Sequence, residues 1–190
     1  MADLLSAVLG LSFASGLNAY ATVLGLGVMH RLGVFHLPPR LEVIATTPVI
    51  TAAAVLYMVE FVADKIPFID TLWDGIHTVI RPAAGALLAH GVVGNVDPQW
   101  QVVAALIGGS IALTAHTAKA STRAAVNVSP EPFSNWALSL IEDGLSFLLV
   151  WLTGSHPLIA LAIVSMLGMA AIYIVWKLSH FVRRVFRRAL

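Results

Sequence analysis

The sequence predicts an all-α integral membrane protein of about six transmembrane helices, arranged as two inverted three-helix repeats whose first and fourth helices are candidates for breaks. Three observations lead there. Of 190 residues, 58% are hydrophobic and 11% charged, whereas an ordinary soluble domain carries about 25% charged residues. Roughly 20 apolar residues cross about 30 Å of hydrocarbon, so six crossings use about two thirds of the chain. The two halves also present similar features in the same order. Cysteine is absent, which excludes disulfides, thiolate metal ligands and cysteine nucleophiles.

The first apolar segment, Leu4 to Val28, holds Ser12, Ser15, Gly16, Asn18 and Thr22 near its centre, where a simple anchor would hold leucines. Two explanations stay open: a helix opened around Gly16 to Asn18, offering backbone groups at mid-membrane depth, or small residues that let neighbouring helices approach. The segment lacks the basic start of a cleaved signal peptide and is read as retained. Val43 to Asp64 forms the second span, stopped by Pro67. The third, Phe68 to Val93, carries Asp70, Asp74, His77 and Arg81 at spacings of four, three and four, which puts them on one helical face. Gly91 to Gln99, with Asn95, makes the central turn. The fourth span, Trp100 to Val126, repeats the polar character of the first and adds His116, Lys119 and Arg123 on one face. Ser129, Pro130, Glu131 and Pro132 break the chain before Phe133 to Thr153, the fifth span, which carries Glu142 and Asp143. Leu158 to Trp176, the sixth, has no ionisable residue.

Residues 1–95 and 96–182 thus read as two membrane repeats and 183–190 as a basic tail. Leu9-Gly10-Leu11-Ser12 matches Ile107-Gly108-Gly109-Ser110, and the acidic pair Glu60 and Asp64 matches Glu142 and Asp143. If each unit crosses three times, the second enters from the opposite side, as in many secondary transporters. Lys177, Arg183, Arg184, Arg187 and Arg188 place the C-terminus in the cytoplasm, and six crossings place the N-terminus there too. Arg31 and Arg40 count against that orientation. The basic tail is expected on anionic lipid headgroups, and nucleic acid is not an expected partner because no aromatic or motif support accompanies the charge.

Two signatures resemble one family. They are Glu60-Phe61-Val62-Ala63-Asp64-Lys65-Ile66-Pro67 with Asp70, Trp73-Asp74, Arg81-Pro82 and Gly85, and His116, Lys119, Arg123, Ser129-Pro130-Glu131-Pro132 with Ser139-Leu140-Ile141-Glu142-Asp143. They are similar to those of the bacterial membrane family known as domain of unknown function 4126, over nearly the whole chain. The resemblance implies a multi-pass protein of the bacterial cytoplasmic (inner) membrane and no established activity.

The candidate site is the set of ionisable groups at membrane depth. Each charge at the bilayer centre costs about 2.5 to 3.5 kcal/mol on insertion scales, so these groups are expected to converge and pair. Asn18, Glu60, Asp64, Asp70, Asp74, His77, Arg81, His116, Lys119, Arg123, Glu142 and Asp143 are assigned to a solute or ion pathway. Glu142 is the better carrier, and Asp143, about 100° round the helix, cannot face the same ligand without distortion. His77 is read either as sharing a proton with Asp74 or Asp70, or as a satisfied interior histidine. The leading function is a secondary transporter of a small polar or ionic solute, proton- or cation-coupled. The alternatives are a channel, a structural or partner-binding subunit held by ion pairs, and an intramembrane lipid-modifying enzyme. The chain has neither an HExxH nor a GxSxG motif, and an enzyme is not expected. A divalent metal at His116 lacks diagnostic spacing, so no metal or cofactor is expected. The expected partners are the lipid bilayer, the solute and, because the bundle is small, a second copy in a homodimer.

Overall fold

The computed structural model describes residues 2–66, 68–94, 96–127 and 132–189. Among them the helices are α1 (Ala2–Leu17), α2 (Ala19–Arg31), a 3-10 helix (Pro39–Ala45), α3 (Thr47–Ala63), α4 (Ile69–Val92), α5 (Pro98–Val126), α6 (Pro132–Ser155) and α7 (Pro157–Ala189), with no strand. Pro67, Asn95 and the Ser129-Pro130-Glu131 turn, expected as breaks, lie outside the described residues.

One residue separates α1 from α2. Asn18 is extended, with φ −151° and ψ 105°, and its Oδ1 accepts a hydrogen bond from Ala21 N at 2.8 Å. A side-chain oxygen thereby replaces a backbone carbonyl at the new helix start, as an N-cap does. The opening expected around Gly16 to Asn18 is present, and it turns the chain back. Along α6, Asn18 meets Asp143 and Ala14 O lies 3.4 Å from Ser146 Oγ. A side chain at Gly10 would meet Thr153, and one at Gly25 would meet Phe147 and Val150. Both arms therefore rise along α6 from the level of Asp143 towards its C-terminus. Asp3, Leu26, Phe35 and Gly154 accordingly line one cavity of about 210 Å³.

This geometry corrects the expected first span. Leu4 to Val28 is a helical hairpin, and both its ends lie at the same end of the bundle, the hairpin end. The inverted pairing of the first and fourth segments fails for the same reason. α1 runs parallel to α5: a side chain at Gly16 would meet Ala112 and Ala115, and Lys119 Nζ donates to Leu17 O at 3.0 Å. The similar Gly-Ser pairs also differ in role. Buried Ser12 donates to Gly85 O at 3.2 Å, whereas exposed Ser110 donates to Leu106 O of its own helix at 2.8 Å.

The break expected in the fourth segment is absent, because α5 is continuous. Thr114, Thr117 and Thr122 each donate to the carbonyl four residues earlier, so their hydroxyls are satisfied inside the helix. Where α1, α4 and α5 meet, Gly85 and Gly108 each lie against the other's carbonyl, and a Cβ on either would fall within 3 Å of a neighbour. Small residues set this close approach.

After the hairpin, α3, α4, α5, α6 and α7 alternate in direction. Pro98–Val126, Phe133–Ser155 and Pro157–His180 are long and apolar enough to cross a membrane. The 3-10 helix and α3 reach that standard only together, bent by 62°. α7 exposes Leu158, Met166, Met169 and Ile172, then Tyr173 and Trp176, the order expected of apolar core followed by interfacial aromatics. Its helix continues to Ala189, so the backbone of 183–189 extends α7.

Candidate functional site

The charged face expected on α4 is buried as a unit: Asp70, Asp74, His77 and Arg81 are each less than 5% exposed. α5 brings His116, Lys119 and Arg123 against it, also buried. α3 adds Glu60, and Asp64 at its C-terminal cap, from one side and α6 adds Glu142 from another. The hairpin tip covers the assembly at mid-bundle depth.

Arg81 NH2 donates to Glu60 Oε1 at 2.8 Å, and its NH1 lies 3.4 Å from Asp74 Oδ1. Lys119 Nζ reaches Asp64 Oδ2 at 3.0 Å, Glu142 Oε2 at 3.3 Å and Glu60 Oε1 at 3.7 Å. Arg123 closes the lattice, donating to Asp64 Oδ2 and Asp64 O at 2.8 Å each and to Glu142 through Nε and NH2. These contacts repay part of the desolvation of each charge. The helix break supplies the remaining acceptors. With Ala21 N bound to Asn18, the Leu17 carbonyl is free for Lys119, and Gly16 O lies 3.4 Å from Arg81 NH1.

Two histidines flank the lattice with defined tautomers. His116 Nδ1 accepts from Arg81 NH1 at 2.8 Å, which leaves Nε2–H to donate to Thr78 Oγ1 at 3.0 Å; Thr78 in turn donates to Asp74 O. His77 Nδ1–H donates to the Trp73 carbonyl at 2.8 Å, so Nε2 carries the lone pair and meets Tyr20 OH at 3.2 Å. Its carboxylate neighbour is Glu60 Oε2 at 3.8 Å, not the expected Asp74 or Asp70. Four carboxylates, those of Glu60, Asp64, Asp74 and Glu142, thus face three cations, those of Arg81, Lys119 and Arg123. Glu60 Oε2, Asp64 Oδ1, Asp74 Oδ1 and Arg81 Nε are buried without a hydrogen-bond partner. Chemically, the arrangement can accept one further positive charge.

Two expected members stand apart. Asp143 leaves Glu142 as the helix geometry required: Asn18 Nδ2 donates to it at 2.8 Å and Tyr57 OH lies at 3.5 Å. Asp70 belongs to a separate polar chain at the lattice end, where Asn127 Nδ2 donates to its Oδ2 at 2.8 Å and Asn135 donates to Asn127. Sequence reasoning missed Tyr20, Tyr57, Thr78, Asn127 and Asn135. Tyr20 alone had a usable signal, standing two residues beyond the polar break at Asn18.

Comparison with curated proteins and with solved structures finds no match. A family model does match, over residues 5–177, and its description is domain of unknown function (DUF4126). The chain belongs to that family.

Proposed function

We propose that the protein is an ion-coupled secondary transporter of a small polar or ionic solute in the bacterial cytoplasmic membrane. In this reading α3 to α7 cross the bilayer, the α1–α2 hairpin dips in from the far side, and the basic end of α7 is cytoplasmic. Asp3 then lies on the opposite face, which replaces the even number of crossings read from the sequence. One observation carries the proposal: the carbonyls of Gly16 and Leu17, released by the break at Asn18, face Arg81 and Lys119 inside the bundle. A helix broken at mid-membrane depth against buried charges is how many transporters build a solute and coupling-ion site. The lattice then represents an occluded arrangement, with Glu60 and Glu142 as carriers and Arg81, Lys119 and Arg123 as counter-charges.

A second reading, a structural subunit locked by ion pairs, draws on the complete burial of Glu60, Asp64 and Arg81. Flux in proteoliposomes separates the two. A panel of ions and small metabolites, with and without a pH gradient, is expected to reveal a solute whose movement Glu60→Gln and Glu142→Gln both abolish. Flux that both variants leave unchanged sinks the carrier assignment. No flux from competently reconstituted protein favours the structural subunit.

A further inference from the structure

We propose that His77 and Glu60 form a proton-binding site, in which one proton on His77 Nε2, shared with Glu60 Oε2, brings the ionic lattice to electroneutrality. The inference deepens the transport reading and rests on it for one point only, that this proton is the coupling ion. Its first support is charge. Glu60, Asp64, Asp74 and Glu142 exceed Arg81, Lys119 and Arg123 by one negative charge, and an uncompensated charge buried this deeply is costly. The second is an orphaned atom. Glu60 is fully buried, its Oε1 is engaged by Arg81 and approached by Lys119, and its Oε2 has no hydrogen-bond partner.

The third support is the orientation of His77. The Trp73 carbonyl can only accept, so Nδ1 holds the ring hydrogen and the lone pair on Nε2 points at Tyr20 OH and Glu60 Oε2. A proton taken from water onto that lone pair displaces the Tyr20 hydroxyl and leaves the bond from Nδ1 to the Trp73 carbonyl in place. Nε2 lies 3.8 Å from Oε2, within ion-pair distance of the carboxylate once the ring is charged. The phenol of Tyr20 donates to Nε2 of the neutral ring, so it competes with the proton for that lone pair. It is also half-buried, and so stands between the site and the outside of the bundle.

Five of the elements packed on the site contribute charged or titratable groups, and α1 contributes only the Gly16 and Leu17 carbonyls. The charged and titratable groups are Tyr20 from α2, Glu60 and the cap residue Asp64 from α3, Asp74 and Arg81 from α4, His116, Lys119 and Arg123 from α5, and Glu142 from α6. His116 cannot take the role. Its Nδ1 already accepts from Arg81 at 2.8 Å, so a proton there would set two donors face to face.

The test reads proton occupancy directly, without flux. ¹⁵N-histidine NMR of the detergent-solubilised protein, with His77 assigned through His77→Gln, follows the ring nitrogens from about pH 9 to about pH 5. The expected result is passage of His77 from the neutral Nδ1–H tautomer to the doubly protonated ring. Glu60→Gln is expected to weaken that uptake at least about tenfold, because the partner charge is lost in a poorly screened site. Tyr20→Phe removes the donor that favours the neutral ring and is expected to tighten uptake about fivefold. His77 remaining neutral throughout in folded protein overturns the proposal, as does uptake that Glu60→Gln leaves unchanged, which would place the proton elsewhere, such as on Asp74. If Glu60→Gln does not fold, Tyr20→Phe decides: tighter uptake supports the site, and unchanged or weaker uptake overturns it. A chain that binds this proton yet moves no solute refutes transport and leaves the site standing.

Discussion

The α1–α2 hairpin and α5 are built from similar materials and do opposite things. Each carries glycine, serine and threonine among apolar residues, yet the first folds back at one residue and the second is continuous for 29 residues. The difference lies in how the polar groups are satisfied. The hydroxyls of α5 turn onto the carbonyl four residues back and leave the backbone ladder intact. Asn18 instead captures an amide, and the carbonyls this releases find partners on Arg81 and Lys119. A break inside a bundle therefore needs both an internal cap and external donors, and α5 lacks both.

Removing the external donor should have the largest effect. Lys119→Met leaves Asp64, Glu142 and the Leu17 carbonyl without their shared ammonium, and should cost about 3 to 5 kcal/mol in denaturant unfolding in detergent. A smaller loss would mean that Arg123 alone neutralises the lattice. Removing the cap comes next. Asn18→Ala loses the bond to Ala21 N and strips Asp143 of its closest donor, for about 2 to 3 kcal/mol by the same assay. If Asn18→Ala unfolds no more easily than the wild type, the break does not depend on its cap.

Packing at the break should matter less. A Cβ at Gly16 falls 2.4 Å from Ala112 O, a backbone atom that cannot swing away, so Gly16→Ala should cost about 1 to 3 kcal/mol. The control is Gly144→Ala on α6, where nothing lies within 4 Å; it should stabilise by about 0.5 kcal/mol through helix propensity. On α5 the effect should nearly vanish. The hydroxyl of Thr117 bonds only its own helix, so Thr117→Ala should stay within about 0.5 kcal/mol of the wild-type midpoint.

The site was more legible than the fold. Regular spacing and the cost of exposing charge to hydrocarbon placed Asp74, His77 and Arg81 on one buried face with Lys119 and Arg123 opposite, because helical periodicity survives folding. The partner of His77 was not legible. Glu60 lies 17 residues away on another helix, and which carboxylate reaches Nε2 depends on the packing of α3 against α4. The hairpin was hidden for another reason. Hydropathy sums apolar length and carries no direction, so two arms of 16 and 13 residues counted as one span. The signal for the turn was a single amide side chain whose donor, Ala21 N, and acidic partner, Asp143, lie on two different elements. The inverted arrangement rested on that count, since it required an odd number of crossings in the first half.

The absence of cysteine makes single-cysteine labelling in sealed membranes the most direct test of the hairpin. Asp3→Cys and Leu32→Cys flank the segment at exposed positions, and Phe68→Cys marks the lattice end. The structure predicts that an impermeant thiol reagent reaches positions 3 and 32 from the same side and position 68 from the other. Labelling of positions 3 and 32 from opposite sides would make the first segment a single crossing, and would contradict the hairpin on which the ionic site is built.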